Sequence, residues 1–231
     1  RRAALRERRA PSREAAGTLA RGGGHALHDR RVRRRMAKKG AAMERQTVER
    51  QTTEKKLILF LDSGDTLVDE STEVRDDEDI VVDAELIPGA AEAVRRLHAE
   101  GYRLALVADG MAQSFKNVLG KHGIWDLFEA KIVSELIGVT KPDAKMFRAA
   151  LGAMGLTDAD AGRVAMVGNN LARDIRGANG VGLISVHQAW TPRYPKTPSD
   201  EAEVPDYVIR HMDELPELAD RLNRQLQDGE E

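Results

Sequence analysis

The sequence predicts an α/β fold in which a parallel sheet carries helices on both faces. From Lys55 onward, short apolar runs alternate with segments whose apolar residues recur at helical spacing. The apolar runs are continuous, which is typical of strands buried on both faces of a parallel sheet. Hydrophobic residues make up 41% of the 231-residue chain, enough to form a sizeable core.

Five apolar runs predict strands, and a sixth run is a weaker candidate. They are Leu57–Leu61, Arg103–Val107, Ala130–Val133, Val164–Val167, Leu183–Val186 and, as the weaker candidate, residues 207–209. In a sheet of this class, ligands bind beyond the carboxyl ends of the strands, where the strand order reverses. The residues that directly follow these runs are therefore the first candidates for a functional site.

Helices are predicted between the strands. Three segments have apolar residues spaced along one face and end at a glycine, which is typical of a helix and its C-terminal cap. These segments are Ala90–Glu100, Gln113–His122 and Ala144–Met154, followed by Gly101, Gly123 and Gly155. A fourth helix is predicted to begin at Pro216, because proline is favoured in the first helical turn.

The charge is unevenly divided along the chain. Residues 1–56 carry 18 lysine and arginine residues against 6 acidic residues, whereas the rest carries 18 against 32. We therefore predict a basic, disordered extension over residues 1–54 and a folded domain over residues 55–231. The extension has three explanations: an arm that binds nucleic acid or an acidic partner, an organellar transit segment, and sequence upstream of a natural start at Met36 or Met43.

Composition excludes several classes of function. The chain has no cysteine, which excludes a disulfide framework, a thiolate metal site and a cysteine nucleophile. The longest apolar runs are five or six residues, far shorter than a membrane-spanning helix requires. The glycine-rich phosphate loop of nucleoside triphosphatases is missing from the sequence. We expect a cytoplasmic protein without membrane contact.

Polar residues follow the predicted strands one after another. They are Asp62 after the first strand, Asp109 and Gly110 after the second, Lys141 after the third, and Asn169 after the fourth, with Asp174 one turn later. Taken singly, Asp62 could form a turn and Lys141 could be a solvated loop lysine. Together they would converge on one crevice, where a carboxylate, a lysine and a second acidic group suggest phosphate chemistry.

In these segments the sequence resembles the haloacid dehalogenase-like superfamily of hydrolases. The resemblance covers about residues 56–225 and rests on an apolar run followed by D-x-x-x-T-L at 58–67, "GYRLALVADG" at 101–110, "GVTKPDAKMF" at 138–147 and "VAMVGNNLARDIRGANGVGLISV" at 164–186. It implies a Rossmann-like parallel sheet of strand order 5-4-1-2-3, with helices on both faces. It also implies hydrolysis of a phosphorylated small molecule or macromolecule.

The resemblance implies a role for each matching residue. Asp62 would be the nucleophile that takes a phosphoryl group to form an aspartyl phosphate, with Lys141 and a Mg²⁺ ion balancing the charge. The backbone carbonyl of Gly64 would also bind the metal. Thr66 would orient the loop, and Asp174 would hold either Lys141 or metal-bound water.

Two loops depart from the family pattern. The family places its general acid/base two residues after the nucleophile, where this chain has Gly64, and Asp65 is the candidate substitute one residue later. The second segment ends at Ala108 where the family has a serine or threonine that bonds the phosphate. Ala108, Asp109 and Gly110 are nevertheless the predicted substrate-binding residues of that loop.

The fourth segment departs at Asn169, where the family has an aspartate that binds Mg²⁺. A neutral amide should hold this hard cation less tightly, so we expect a weakened magnesium site formed by Asp62, Gly64, Asn169 and Asp174. Three functions stay open. They are a Mg²⁺-dependent phosphatase acting through Asp62, a catalytically degenerate binding or regulatory protein, and a metal-independent hydrolase with an aspartate nucleophile.

The spacing after the first strand indicates that no large cap domain is inserted. Only 25 residues separate Asp62 from Pro88, whereas cap insertions of the family are normally far longer. We therefore expect an open site, which suits a substrate or partner that covers it. The acid-rich segment 69–79 is expected to lie beside the site as a solvated hairpin.

Overall fold

A six-stranded parallel sheet forms the centre of the fold. The computed structural model describes residues 55–229. The strands of the sheet are β1 (Ile58–Leu61), β4 (Arg103–Ala108), β5 (Ala130–Val133), β6 (Val164–Gly168), β7 (Ile184–Gln188) and β8 (Tyr207–Ile209), in the order β5-β4-β1-β6-β7-β8. Two further short strands, β2 (Val74–Arg75) and β3 (Val81–Asp83), form a separate antiparallel hairpin. The predicted basic extension, with Met36 and Met43, lies outside the described residues.

The strand order agrees with the expected topology. If only the strands of the main sheet are counted along the chain, they lie in the order 3-2-1-4-5-6. Read from the opposite edge, this is the predicted 5-4-1-2-3 arrangement with one strand added. The added strand is β8, the weaker candidate at residues 207–209, which pairs in parallel with β7.

Six helices surround the sheet within the described part of the chain. They are α1 (Ala90–Ala99), α2 (Ala112–Lys121), α3 (Ser134–Ile137), α4 (Ala144–Ala153), α5 (Arg176–Gly180) and α6 (Leu215–Asp228). Single 3₁₀ turns span Glu70–Thr72, Trp125–Leu127, Glu201–Glu203 and Met212–Glu214, a longer 3₁₀ segment spans Asp158–Arg163, and a π-helical turn spans Leu171–Ile175. The four predicted helices correspond to α1, α2, α4 and α6. The two short helices α3 and α5 were not predicted.

Alternate residues of β1 divide between two apolar clusters. Leu59 and Leu61 pack with α1, α2 and α6, whereas Ile58 and Phe60 pack with α4 and α5 on the other face. The side chains of Leu57–Leu61 are completely buried. Because both faces of the strand are covered, a continuous apolar run forms a strand here without alternation.

The acid-rich segment forms the predicted hairpin, and one of its strands packs on α2. The Val81 amide donates to Ser114 Oγ at 3.0 Å, and Asn117 Nδ2 donates to the Val81 carbonyl at 3.0 Å. Between Asp62 and Pro88, the described chain thus forms one 3₁₀ turn and this small hairpin. The hairpin stands at the carboxyl edge of the sheet, beside the loop that follows β1.

None of the helices within residues 55–229 combines the length and the apolar composition needed to cross a lipid bilayer.

Candidate active site

The loop after β1 places Asp62 at the carboxyl edge of the sheet. The Asp62 amide continues the ladder by donating to the Val167 carbonyl at 3.0 Å. The chain then turns tightly, because the Ser63 carbonyl accepts from the amides of Leu67 at 2.7 Å and Val68 at 2.9 Å. Asp65 adopts a left-handed conformation in this turn, with φ of 47°. The result is a carboxylate that is 8% exposed at the end of a fully buried strand.

Lys141 lies buried between two carboxylates. Its Nζ is 2.6 Å from Asp62 Oδ1 and 2.6 Å from Asp174 Oδ1, and it donates to the Val107 carbonyl at 3.0 Å. Burial alone would lower the pKa of this ammonium, but the negative charges of Asp174, Asp62 and Asp109 outweigh it and raise the pKa. Lys141 is therefore a permanent positive charge beside the Asp62 carboxylate.

Asp174 holds Lys141 from the side opposite to Asp62. The Asn170 amide donates to Asp174 Oδ2 at 2.9 Å, which fixes the carboxylate. A Cβ at Gly168 would overlap this side chain, so the end of β6 must be glycine for Asp174 to approach. Burial raises the pKa of Asp174 to about 6, although Lys141 opposes the shift. Of the two roles predicted for Asp174, the geometry gives it contact with Lys141.

Thr66 and Asp109 complete the contacts around this cluster. Thr66 is buried and donates through Oγ1 to Asp62 Oδ2 at 3.3 Å. Asp109 Oδ1 accepts from the Lys141 backbone amide at 3.0 Å, and its Oδ2 is 3.5 Å from Arg173 Nη1. The predicted residues Asp62, Thr66, Lys141, Asp174 and Asp109 thus form one contiguous group.

Ala108 and Gly110, the other two residues of the predicted substrate-binding loop, have no polar side chain, unlike Asp109. Ala108 is the last residue of β4 and is buried. Its side chain is a methyl group, which has no polar atom to offer a ligand. Gly110 is exposed, and its amide donates to Ser134 Oγ at 2.9 Å. Their predicted contact with substrate stays a prediction, which for Gly110 is consistent with its position on the surface of the site.

Asp65, the predicted substitute acid, is engaged elsewhere. Its completely buried carboxylate is 2.7 Å from Arg193 Nε and accepts from Thr191 Oγ1 at 3.1 Å and from the Glu70 amide at 3.1 Å. These contacts anchor the loop after β7 and the turn at Glu70 to the loop after β1. The geometry gives Asp65 an anchoring function, and its predicted catalytic role stays a prediction.

Glu70 fills the space that a side chain at position 64 would need. An ideal Cβ built on Gly64 would overlap Glu70 Oε1 and lie 2.8 Å from its Cδ. Burial, together with the charges of Asp65 and Glu73, raises the pKa of Glu70. Glu70 was not predicted as a site residue from the sequence.

The residues predicted to hold Mg²⁺ are oxygen donors with little net charge. Asp62 supplies a carboxylate, Gly64 a backbone carbonyl and Asn169 an amide, whereas Asp174 is already bound by Lys141 and the Asn170 amide. Within residues 55–229, no three histidine, cysteine or acidic side chains form a metal cluster. The buried Asn169 Nδ2 has no hydrogen-bond partner among these residues, so its N–H groups are free to donate to an anion, whereas a metal ion would bind the amide oxygen of the same side chain. Since Mg²⁺ is commonly held by one or two carboxylates and several waters, the set fits a weak magnesium site.

A pocket of about 270 Å³ opens between the loop after β1 and the hairpin. Its lining includes Gly64 and Glu70 from the first loop, Asp109 and Gly110 from the second, and Arg75 from the hairpin. A ligand in this pocket would lie next to Ser63, Gly64 and Asp109, whereas Asp62 and Lys141 do not line it.

Arg173 and Arg193 also reach the site and were not predicted. The guanidinium of Arg173 lies 5.6 Å from the centre of the Tyr194 ring and near Asp109, and Arg193 bonds Asp65. Arg173 lies directly before Asp174 in the fourth segment, which was a usable signal. Arg193 lies in a proline-rich loop far along the chain, where no local pattern indicates its contact.

Two named phosphatases resemble the chain in sequence. A glyceraldehyde 3-phosphate phosphatase of Pyrococcus furiosus is 33% identical over 137 residues, which are 59% of this chain and 55% of that protein. A phosphoserine phosphatase of Thermus thermophilus is 32% identical over 130 residues, which are 56% of this chain and 49% of that protein. The chain thus matches about half the length of each relative.

A solved structure shares the fold. The HAD-hydrolase YfnB of Bacillus subtilis, crystallised with magnesium, superposes with a TM-score of 0.58 at 17% identity, covering 71% of this chain and 98% of that one. At this identity the likeness shows the architecture.

The model of a wider family also matches the sequence. The haloacid dehalogenase-like hydrolase family matches residues 4–182, which include the loop of Asp62, the loop of Lys141 and the turn of Asp174. Because this match spans more than half the chain and the sheet has the expected order, the chain belongs to the haloacid dehalogenase-like hydrolases.

Proposed function

We propose that this protein is a Mg²⁺-dependent phosphatase that acts on small phosphate monoesters through an aspartyl phosphate on Asp62. The observation that carries the proposal is the buried contact of Lys141 Nζ with Asp62 and Asp174, each at 2.6 Å. A lysine held in this way is charged at neutral pH and contacts the Asp62 carboxylate, which directly precedes the pocket residues Ser63 and Gly64. This arrangement suits a nucleophile that must approach a negatively charged phosphate.

The reaction has two displacements at phosphorus. A carboxylate oxygen of Asp62 forms a bond to phosphorus while the bond from phosphorus to the ester oxygen breaks, and the leaving oxygen takes up a proton. Water then attacks the same phosphorus, the bond to Asp62 breaks, and inorganic phosphate leaves. Lys141 balances the charge of Asp62 and of the phosphate in both steps, and Thr66 orients the Asp62 carboxylate.

Mg²⁺ would be held by Asp62, the Gly64 carbonyl and the Asn169 amide, and when bound it would neutralise the negative charge of the phosphoryl oxygens. The other contributions come from the chain itself. Asp174 keeps Lys141 in place, and the Asp109 carboxylate fixes the backbone of the lysine loop.

The pocket beside the loop after β1 has room for a small ester. About 270 Å³ next to Ser63 and Gly64 accommodates a phosphorylated molecule of a few carbon atoms. The names of the sequence relatives agree with this class, since they refer to glyceraldehyde 3-phosphate and phosphoserine.

The proposal is tested by hydrolysis of para-nitrophenyl phosphate and acetyl phosphate by the full chain, with Mg²⁺ and with chelator. We expect turnover that requires Mg²⁺ and is abolished in Asp62→Asn, which removes the nucleophile and retains the shape of the side chain. Turnover that requires Asp62 but is insensitive to the chelator would replace the proposal with metal-free hydrolysis. Equal rates for the parent protein and Asp62→Asn would favour a binding protein on the same fold.

A further inference from the structure

The Glu70 carboxylate occupies the space beside residue 64, although Glu70 lies further along the chain. Gly64 stands where the family pattern has its general acid/base, yet an ideal Cβ there would overlap Glu70 Oε1 and lie 3.2 Å from Glu70 Cγ. The missing side chain and the Glu70 carboxylate therefore compete for the same volume. A glycine at position 64 is what allows Glu70 to enter it.

The turn after β1 brings residue 70 back to residue 64. Gly64 and Val68 form a β-bridge, and the Asp65 amide donates to the Val68 carbonyl at 2.7 Å, so the chain folds back on itself over a few residues. The Glu70 amide is then fixed by Asp65 Oδ1 at 3.1 Å. Asp65 in turn is bound by Arg193. The backbone of Glu70 is thus held by a buried carboxylate.

The Glu70 carboxylate also has access to the pocket. Its side chain is 31% exposed, it lines the pocket together with Gly64, Asp109 and Gly110, and its Oε2 is 3.4 Å from Arg193 Nη1. The arginine limits its motion without covering it. Glu70 is therefore both fixed in position and open to a ligand.

We propose that Glu70 is the general acid/base of this protein, supplied from position 70 in place of a side chain at position 64. This inference rests on the proposed function. In the first displacement, the Glu70 carboxyl group donates its proton to the ester oxygen as the bond from that oxygen to phosphorus breaks. In the second, the Glu70 carboxylate takes a proton from the water that attacks phosphorus and displaces the Asp62 carboxylate.

The dependence on the leaving group tests this role. General acid catalysis matters for alkyl phosphates, whose leaving oxygen needs a proton, and matters little for acetyl phosphate. We expect Glu70→Gln to lower kcat/KM for glycerol phosphate by about 10²–10⁴ and for acetyl phosphate by far less. Glu85→Gln, which changes an exposed carboxylate next to Lys121, is the matched control. It should leave kcat/KM for both substrates unchanged.

Moving the carboxylate back to position 64 provides a second test. Gly64→Asp alone has to displace the Glu70 carboxylate, because its Cβ overlaps Glu70 Oε1. In a Glu70→Ala background the same Gly64→Asp change has room, and we expect it to raise alkyl phosphate hydrolysis at least about tenfold over Glu70→Ala alone, within the range of general acid catalysis. Thermal melting of each variant checks that the fold is retained.

The outcomes separate this inference from the proposed function. Glu70→Gln could lower kcat/KM equally for both substrates, or for neither, while turnover of acetyl phosphate still depends on Asp62. This result overturns the role of Glu70 and leaves the phosphatase proposal intact. Loss of any dependence on Asp62 overturns both. A selective loss with alkyl phosphate, restored by the relocated carboxylate, supports both.

Discussion

At the scale of single residues, the site depends on one buried positive charge between two negative ones. Lys141 is 2.6 Å from both Asp62 and Asp174, and its side chain is 2% exposed. Removing one member of such a group leaves a buried charge without its partner, which is more destabilising than replacing the whole group. Stability and chemistry are therefore linked at this lysine.

Lys141→Met is expected to abolish turnover and to lower the free energy of unfolding by about 3–5 kcal/mol, since Asp62 and Asp174 then repel each other in a buried site. Urea denaturation measures the stability, and hydrolysis of acetyl phosphate measures the activity. Lys145→Met is the matched control, because Lys145 is exposed on the helix that follows. A stability of Lys141→Met equal to that of the control would contradict the assigned charge balance.

The sequence predicted these three residues because each follows a strand of a parallel sheet, whose carboxyl ends share one edge. The same reasoning did not predict the contacts of Asp65, and it did not find Glu70. Asp65 has a φ of 47°, so an interpretation from sequence spacing could not give the direction of its side chain. Glu70 reaches the site only because the turn reverses, and that reversal depends on backbone hydrogen bonds that leave no pattern in the sequence.

At the scale of structural elements, the loop after β7 acts on the loop after β1. Thr191 and Arg193 both bind the buried Asp65 carboxylate, and Tyr194 Oη accepts from Arg173 at 3.3 Å. All loops that follow parallel strands lie at the same edge of the sheet, and the loop after β7 reaches past β6 to the loop after β1. No local pattern around Thr191 and Arg193 indicates this contact in the sequence.

Arg193→Ala is expected to lower the free energy of unfolding by about 1–3 kcal/mol, because Asp65 keeps its burial and loses its charged partner. This expected loss in the free energy of unfolding is small for a buried carboxylate that loses its partner, since the Arg193 side chain itself is 41% exposed. Hydrogen exchange should also become faster over residues 189–200. Arg210→Ala, a change at an exposed arginine, serves as the comparison. Unchanged exchange in the loop would show that Asp65 does not anchor it.

Two glycines of α5 have different surroundings. An ideal Cβ at Gly177 would overlap the Phe147 ring and lie 3.2 Å from Pro142 Cα, whereas no atom lies within 4 Å of one at Gly180. We expect Gly177→Ala to destabilise the protein by about 1–3 kcal/mol through overpacking. Gly180→Ala should stabilise it by about 0.5 kcal/mol through lower chain entropy. Thermal melting of both variants gives the signs, and equal signs would contradict the packing described for α5.

At the scale of the whole molecule, the sheet and its helices were predictable because their signals extend over many residues. Continuous apolar runs gave the strands of the sheet, and one-sided apolar spacing gave the four longer helices. The bounds of the short elements were not predictable, since β2 is two residues long and α5 only five, too few to display a period. Their positions follow from tertiary contacts, such as that of Val81 with Ser114.

The global stability of the protein should report its affinity for Mg²⁺, because a ligand that binds only the folded state stabilises it according to its concentration and dissociation constant. Asn169→Asp adds a carboxylate to the edge of the sheet that already carries Asp62 and Asp174. Without metal we expect a lower melting temperature than that of the parent protein, since three acidic groups then crowd around Lys141. With Mg²⁺ we expect a larger upward shift, by about 1.4 kcal/mol for each tenfold gain in affinity.

The measurement is a melting curve at a series of Mg²⁺ concentrations, with Asp62→Asn as the control that removes the charged ligand. The parent should show a small shift at millimolar Mg²⁺, Asn169→Asp a larger one, and the control the smallest. If the parent and Asn169→Asp respond identically, Asn169 does not face the metal. The weakness of the site would then come from Lys141, whose positive charge already neutralises the carboxylates that Mg²⁺ would bind.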